Sequence, residues 1–199
     1  MTRVATGRPG RPAASTREAA LELATQRFLA GERVDVQGIA RELGLARATM
    51  HRWFQTRDML LGELLGSLGQ QRLEAIREDV GGCGANALLE TFDRFNTEVA
   101  HTRGMRVLLA QEQERALRIL TSGAGLVQPR LVATVERLID GEAQSGEFVP
   151  SIPPSVLAYA IVRLAEAFIY NDAIAGIRGD VTRLRQVEAV LLNVHEQPG

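Results

Sequence analysis

The 199-residue sequence predicts an all-α protein: a small N-terminal helix-turn-helix module on a larger helical body, about nine helices in total. Two observations predict it. Apolar residues recur at spacings of three and four from Ala20 to Val194, with no alternating strand pattern and no internal repeat. The second is Val36–Phe54, which reads as two short helices folded over one glycine. Val36, Ile39, Ala40 and Leu43 mark the buried face of the first helix, and Gly44 stops it by accepting the left-handed conformation cheaply. Leu45 re-enters the core, and the second helix turns Met50 and Phe54 inward. Arg47, Ala48, Thr49, His51 and Arg52 are left largely on its outer surface. Small, cationic and hydrogen-bonding residues on a second helix suit a DNA major groove. An ordinary αα-corner fits these residues as well.

Composition narrows the function. A hydrophobic fraction of 45% and a charged fraction of 24% are those of a soluble globular chain. No run approaches the roughly 20 apolar residues a bilayer span needs. Arg3, Arg8 and Arg11 precede no apolar core of the kind a secretory signal has, so the expected location is the cytoplasm. One cysteine, Cys83, excludes an internal disulfide and a thiolate-only zinc site. Residues 1–57 hold ten arginines against five acids, and residues 58–199 hold 13 against 19. A basic end on an acidic body points to a polyanion at one end. All 23 basic residues are arginine, which excludes lysine Schiff-base chemistry and a lysine P-loop. His51, His101 and His195 lie far apart and outside any metal-spaced motif, and there is no G-x-S-x-G. No catalytic residue, metal or cofactor is therefore expected, and an all-helical enzyme has little to stand on.

Taken in order, residues 1–14 form a Gly-, Pro- and Arg-rich arm without periodicity. Arg8 and Arg11 could enter a minor groove, although a solvated tail explains them equally. Ser15-Thr16-Arg17-Glu18 fits a capping box, with Ser15 capping and Glu18 reaching back. The helix that follows buries Ala20, Leu21, Ala24 and Phe28 and ends near Ala30, before Gly31. Asp35 can cap the next helix.

These residues carry a resemblance. The pattern A-x-x-x-F-x-x-x-G, then I-A-x-x-x-G-x-x-x-x-T-x-x-x-x-F-x-x-[RK]-x-x-L, is met by Ala24, Phe28, Ile39, Ala40, Gly44, Thr49, Phe54, Arg57 and Leu60. Across Arg17–Leu61 the chain resembles the DNA-binding domain of the TetR family of bacterial repressors. The resemblance implies base and phosphate contacts from Arg47, Ala48, Thr49, His51 and Arg52, with Gln37 and Thr56 completing the set. Arg57 stands where the family usually has a phosphate-touching lysine at a helix N-terminus. His51 replaces a usual tyrosine and Trp53 a usual histidine. Trp53 beside Phe54 reads as packing, whereas Arg47 and Arg52 are candidates for bidentate contacts to guanine.

Thr56 begins a long helix to about Asp79, with Leu60, Leu61, Leu64, Leu65, Leu68, Leu73 and Ile76 apolar. Gly62, Gly66 and Gly69 weaken it and would allow close helix crossing. Gly81-Gly82-Cys83-Gly84 is a break in which the thiol has no nearby base to activate it. Helical patterns follow over about Ala85–Ala100, a shorter pair over Met105–Thr121, then Val127–Ser145, Pro154–Ala175 and Val181–Val194. Gly176 and Gly179 close the fourth of these stretches.

The Pro154–Ala175 helix is apolar on nearly every side, so it must bury more than one face. One face meets its own core, and another, with the final helix, would form a four-helix interface with a second copy. Tyr159, Arg163, Glu166 and Tyr170, at spacings of four, three and four, make one stripe along it. That stripe is either a pocket wall or an internal Arg163–Glu166 ion pair with tyrosines packed around it. Phe92, Phe95, Asn96, Met105, Gln111, Glu112 and Asn171 are further candidate ligand contacts. The ending E-A-F-I-Y-N-D-A-I-A-G resembles regulators near the quorum-signal-degradation branch of the family, which implies lactone-like or acyl ligands.

The expected organisation is a basic arm (1–14), a DNA-binding domain (15–60) and a ligand-binding and dimerisation domain (61–199). The expected function is a dimeric repressor that reads a palindromic operator and is released by a small-molecule inducer. An architectural DNA-binding dimer without a ligand is the alternative.

Overall fold

Side-chain caps decide where the helices start. In the computed structural model, which describes residues 16–171 and 180–194, helix α1 (Arg17–Leu29) is capped by Thr16, whose hydroxyl accepts from the Ala19 amide. The cap is thus Thr16 rather than Ser15, which lies outside the described residues. Thr16 stands three positions before an orphan amide, the separation that a capping hydroxyl spans. Asp35 caps α2 (Val36–Glu42), accepting from the Gln37 and Gly38 amides. Gly44 then turns the chain at φ +64° into α3 (Arg47–Phe54). Thr56 caps α4 (Arg57–Val80) through the Met59 amide.

The body continues as α5 (Gly84–His101), α6 (Arg103–Gln111), α7 (Gln113–Thr121), α8 (Gln128–Gln144), α9 (Pro154–Glu166) and α10 (Val181–Leu191). Among the described residues there is no strand, and no helix is long and apolar enough to cross a membrane. The helix expected to run from Pro154 to about Ala175 changes character at Glu166, where a π turn, Ala167–Asn171, carries it on. Gly176 and Gly179 lie outside the described residues.

Helix α4 is the axis of the packing. It meets α1 and α7 near its start and α5 and α8 along its length, while α9 lies against α8, and α10 against α5 and α9. Two apolar clusters result. One joins Phe28, Ile39, Met50 and Phe54 of the first three helices to Leu60–Leu65 of α4 and on to Met105, Leu120 and Tyr170. The other gathers Leu73, Leu88, Phe92, Ile139, Leu157 and Ile161. The first cluster crosses residue 60 without a break, so the helix-turn-helix module shares its core with the body.

Two glycines make the packing possible. A Cβ on Gly66 would come 2.8 Å from the Leu126 carbonyl oxygen, where the segment leading into α8 crosses α4. A Cβ on Gly104 would come 2.0 Å from the Phe28 carbonyl oxygen, where α6 crosses the end of α1. The break around Cys83 is also built. Buried Glu142 accepts from the Gly84 amide at 2.6 Å and from Arg77, which also bonds the Gly81 and Gly82 carbonyls. Cys83 is exposed, and its hydrogen bond to Glu147, together with the charge of that carboxylate, raises the thiol pKa, away from reactive thiolate chemistry.

Candidate nucleic-acid interface and adjoining pocket

Helix α3 buries Met50 and Phe54 and turns Arg47, Ala48, His51 and Arg52 to solvent, with Thr49 half-buried. Arg47 and Arg52 have no ion-pair partner among the described residues, whereas Arg17 pairs with Glu63 and Arg27 with Glu42. The free cations of this end therefore include both arginines of one exposed helix face. Gln37 is exposed at the start of α2 and shares a shallow groove with Arg47 and His51. Trp53 packs edge-on to Phe54, with ring centroids 6.4 Å apart, and Arg17 lies over the Phe54 ring. Trp53 is part of the module's frame rather than a stacking surface. Thr56 is exposed, but its hydroxyl is engaged in capping α4. Arg8 and Arg11 lie outside the described residues.

Arg57 differs from the expectation of a free phosphate contact. Its Nε donates to the Val34 carbonyl at 2.5 Å, and its two terminal nitrogens grip both oxygens of Glu112 at 2.6 and 2.8 Å. Glu112 also takes Arg115, which in turn reaches Asp58. The start of α4 is thereby tied to the α6–α7 junction. The Arg57 hydrogen bonds, helped by Arg115 and opposed by burial, hold the Glu112 carboxyl below its usual pKa. A depressed carboxyl pKa contributes stability above the unfolded-state value and loses it as pH falls through the folded one. Glu112→Gln should accordingly cost about 1–2 kcal/mol at neutral pH, reduced from the buried-pair figure because both side chains are partly exposed. The deficit should shrink as denaturant melts are repeated below about pH 4. A deficit that stays constant with pH would show that the pair carries none of it.

A pocket of about 260 Å³, open to solvent beside Leu29, Arg72 and Glu98, lies between the module and the body. Its walls are Phe28 and Leu29 of α1, Leu65, Leu68 and Gly69 of α4, Phe95 and Val99 of α5, Met105 of α6, Leu120 of α7, and Val127, Leu131 and Tyr170 beyond. Thr102 and the half-exposed pair Arg72–Glu98, joined by bonds of 2.7 and 3.0 Å, lie at its edge. Phe95, Val99, Leu131 and Tyr170 also wall a smaller void of about 30 Å³, which adds Phe92, Asn96, Glu166 and Glu188. Asn96 donates to both oxygens of fully buried Glu188, at 3.0 and 3.3 Å. Burial, opposed by Asn96, pushes the Glu188 carboxyl up to about 8. Burial also raises Glu166, against the pull of Arg163, and raises the Tyr170 phenol, with Glu166 adding to it.

The predicted ligand contacts thus divide. Phe92, Phe95, Asn96, Met105, Glu166 and Tyr170 come together around these two spaces. Gln111 and Glu112 do not, because α6 ends at Gln111 and turns both away, Glu112 into the Arg57 pair. Tyr159 and Arg163 also stay outside: Tyr159 is 52% exposed, and Arg163 reaches Glu166, at 2.6 Å, from an exposed position. The stripe on α9 is therefore part cavity wall and part ion pair. The side chain of Asn171 falls outside the described part. Phe28, Leu29 and Glu188 were not foreseen, and only Glu188 left a signal, as an acid between Leu184 and Leu191 on the apolar face of α10. Among the described residues no cluster of His, Cys, Asp and Glu is placed to hold a metal ion.

Comparison with known proteins adds to this. Residues 83–193 match the family model of the tetracyclin repressor-like C-terminal domain. Curated protein sequences give no match. Among solved structures the chain is similar to the transcriptional repressor QsdR of R. erythropolis, with a TM-score of 0.82 and 23% identity over 92% of this chain and 97% of that one. It is also similar to the repressor AlkX from Dietzia sp. strain DQ12-45-1b, with a TM-score of 0.59 and 19% identity over 89% and 97%. The fatty acid degradation regulator FadR from Bacillus halodurans gives a TM-score of 0.56 and 14% identity over 91% and 100%. At these identities the likeness to each structure is one of fold.

Proposed function

The chain belongs to the TetR family of transcriptional regulators, and on that premise we propose that it represses from a palindromic operator as a homodimer and is released when a small molecule fills the cavity. One observation carries the reading. Helix α1 gives Phe28 and Leu29 to the cavity wall and Ala20, Ala24 and Phe28 to the core behind α3. A molecule in the cavity therefore presses on the frame that aims Arg47 and Arg52. Such a ligand shifts the balance only by its differential affinity for the two arrangements. Thousandfold induction needs about 4 kcal/mol of it.

In this reading residues 1–14 are an arm whose Arg8 and Arg11 follow the minor groove, residues 15–60 bind DNA, and residues 61–199 hold the ligand and the partner. Base and phosphate contacts come from Gln37, Arg47, Ala48, Thr49, His51, Arg52 and Thr56, with Arg57 contributing only where it leaves Glu112. The dimer forms through α9 and α10. Its support is the large apolar side chains these helices leave exposed: Val156 at 52% and Tyr159 on α9, and Val190 at 74% and Val187 on α10, with Val149 and Ile152 in the segment before α9. A two-fold axis through those helices would set two copies of α3 one helical turn of DNA apart, about 34–36 Å or a multiple. Its DNA partner puts the protein in the cytoplasm.

The test is titration of labelled DNA from upstream of its own coding sequence with the full-length protein. The expected result is two chains per site and an affinity that falls steeply with salt. Binding no tighter than to random DNA of equal length would overturn the reading. Specific binding that no cavity-filling molecule relieves would favour an architectural dimer.

A further inference from the structure

The inner void contains an acceptor with nothing to accept from. Glu166 is 7% exposed, its Oε2 is bonded by Arg163, and its Oε1 is buried without a hydrogen-bond partner. A native interior rarely leaves such an atom unpaired, because desolvation is then uncompensated. No neighbour supplies the missing donor: the Tyr170 phenol and the Glu188 carboxyl line the same void, yet neither bonds Oε1. Asn96 spends its amide on Glu188, and Arg163 approaches from the solvent side of α9. An ionised carboxylate accepts only.

We propose that the cavity takes a small amphipathic molecule whose buried end is a neutral group that both donates and accepts, a primary amide or an alcohol, its donor bonded to Glu166 Oε1. This rests on the reading of the cavity as the inducer site. The apolar body lies along Leu65, Leu68, Met105 and Leu131, in the space of about 260 Å³. That is room for about nine water-sized groups at their liquid volume. The polar end passes Tyr170, which walls both spaces, into the void of about 30 Å³, large enough for one such group. Glu188, held largely in its acid form by burial, can give its proton to the ligand's oxygen while Glu166 takes the ligand's. A molecule ending in a carboxylate brings a further anion beside Glu166 and offers no donor. One ending in a ketone leaves Oε1 as it is.

The experiment is calorimetric titration of the full-length protein with three probes of matched chain: octanamide, octan-2-one and octanoate. Octanamide is expected to bind at least tenfold more tightly than either of the others. Glu166→Leu should remove that preference, and Leu68→Trp, which fills the larger space, should abolish binding of all three. The probe series on the unaltered protein decides the matter even if a variant does not fold. Equal or tighter binding of the ketone or the carboxylate, with Leu68→Trp still blocking, overturns the donor requirement and leaves the inducer site standing. Binding that survives Leu68→Trp, or no binding by any of the three, overturns both.

Discussion

Replacing Arg47 and Arg52 together with alanine is expected to lower affinity for the proposed operator about a thousandfold while leaving the fold intact. Both side chains are exposed on α3 and lack ion-pair partners among the described residues, so their removal breaks nothing in the free protein. A dimer presents each of them twice. At about 1 kcal/mol per contact, the low end for an arginine reading a guanine, four contacts already approach three decades. The dependence on salt then says what each arginine touches. Removing an arginine that touches phosphate reduces the slope of log affinity against log salt by about 1.8, or 0.9 for each of its two copies, whereas removing one that reads a base relaxes sequence preference instead. Anisotropy titrations on operator and scrambled DNA at several salt concentrations separate the two. Wild-type affinity in the double variant would mean that another surface reads the DNA. Arg57→Ala should have a different signature, costing stability first, because its guanidinium is already committed to Val34 and Glu112.

What the sequence makes legible depends on the range of the interactions. The outer face of α3 was legible because helical periodicity over Val36–Phe54 fixes which residues face out, and a capping aspartate and a turn glycine fix the register. The two-sided character of α9 was legible for the same reason: Leu157, Ile161 and Val162 are buried while Val156 and Tyr159 are not. The cavity was not legible as a whole. Phe28 and Leu65 would show the same periodicity whether they faced other side chains or an empty space. The Arg57–Glu112 pair joins residues 55 positions apart, and no local pattern encodes such a partner. The π turn that brings Ile169 and Tyr170 to the cavity departs from the 3.6-residue period on which the sequence reading relied. Glu166 lies at the end of α9 against the smaller void, and its orphaned oxygen depends on packing that no local pattern encodes.

Gly104→Ala is expected to cost about 3 kcal/mol of stability, the upper part of the usual range for overpacking, and to lower the melting temperature by roughly 6–12 °C. The added methyl would stand 2.0 Å from the Phe28 carbonyl oxygen, 2.8 Å from its carbon and 3.0 Å from its ring. Two of those three atoms are backbone at the end of α1, so no rotamer change relieves the clash and the two helices must part. Gly141, inside α8, is the control: a Cβ there meets nothing within 4 Å, and alanine should stabilise by up to about 1 kcal/mol. The functional consequence follows from where Phe28 sits. It belongs at once to the core behind α3, to the contact with α6 and to the cavity wall. Under the proposed function, pushing α1 away from α6 would widen the pocket and tilt α3, the same displacement an inducer would have to drive. The variant should therefore bind operator weakly without ligand and respond little to its addition. A Gly104→Ala protein that melts at the wild-type temperature and remains fully inducible would show that the α1–α6 crossing does not link the two sites.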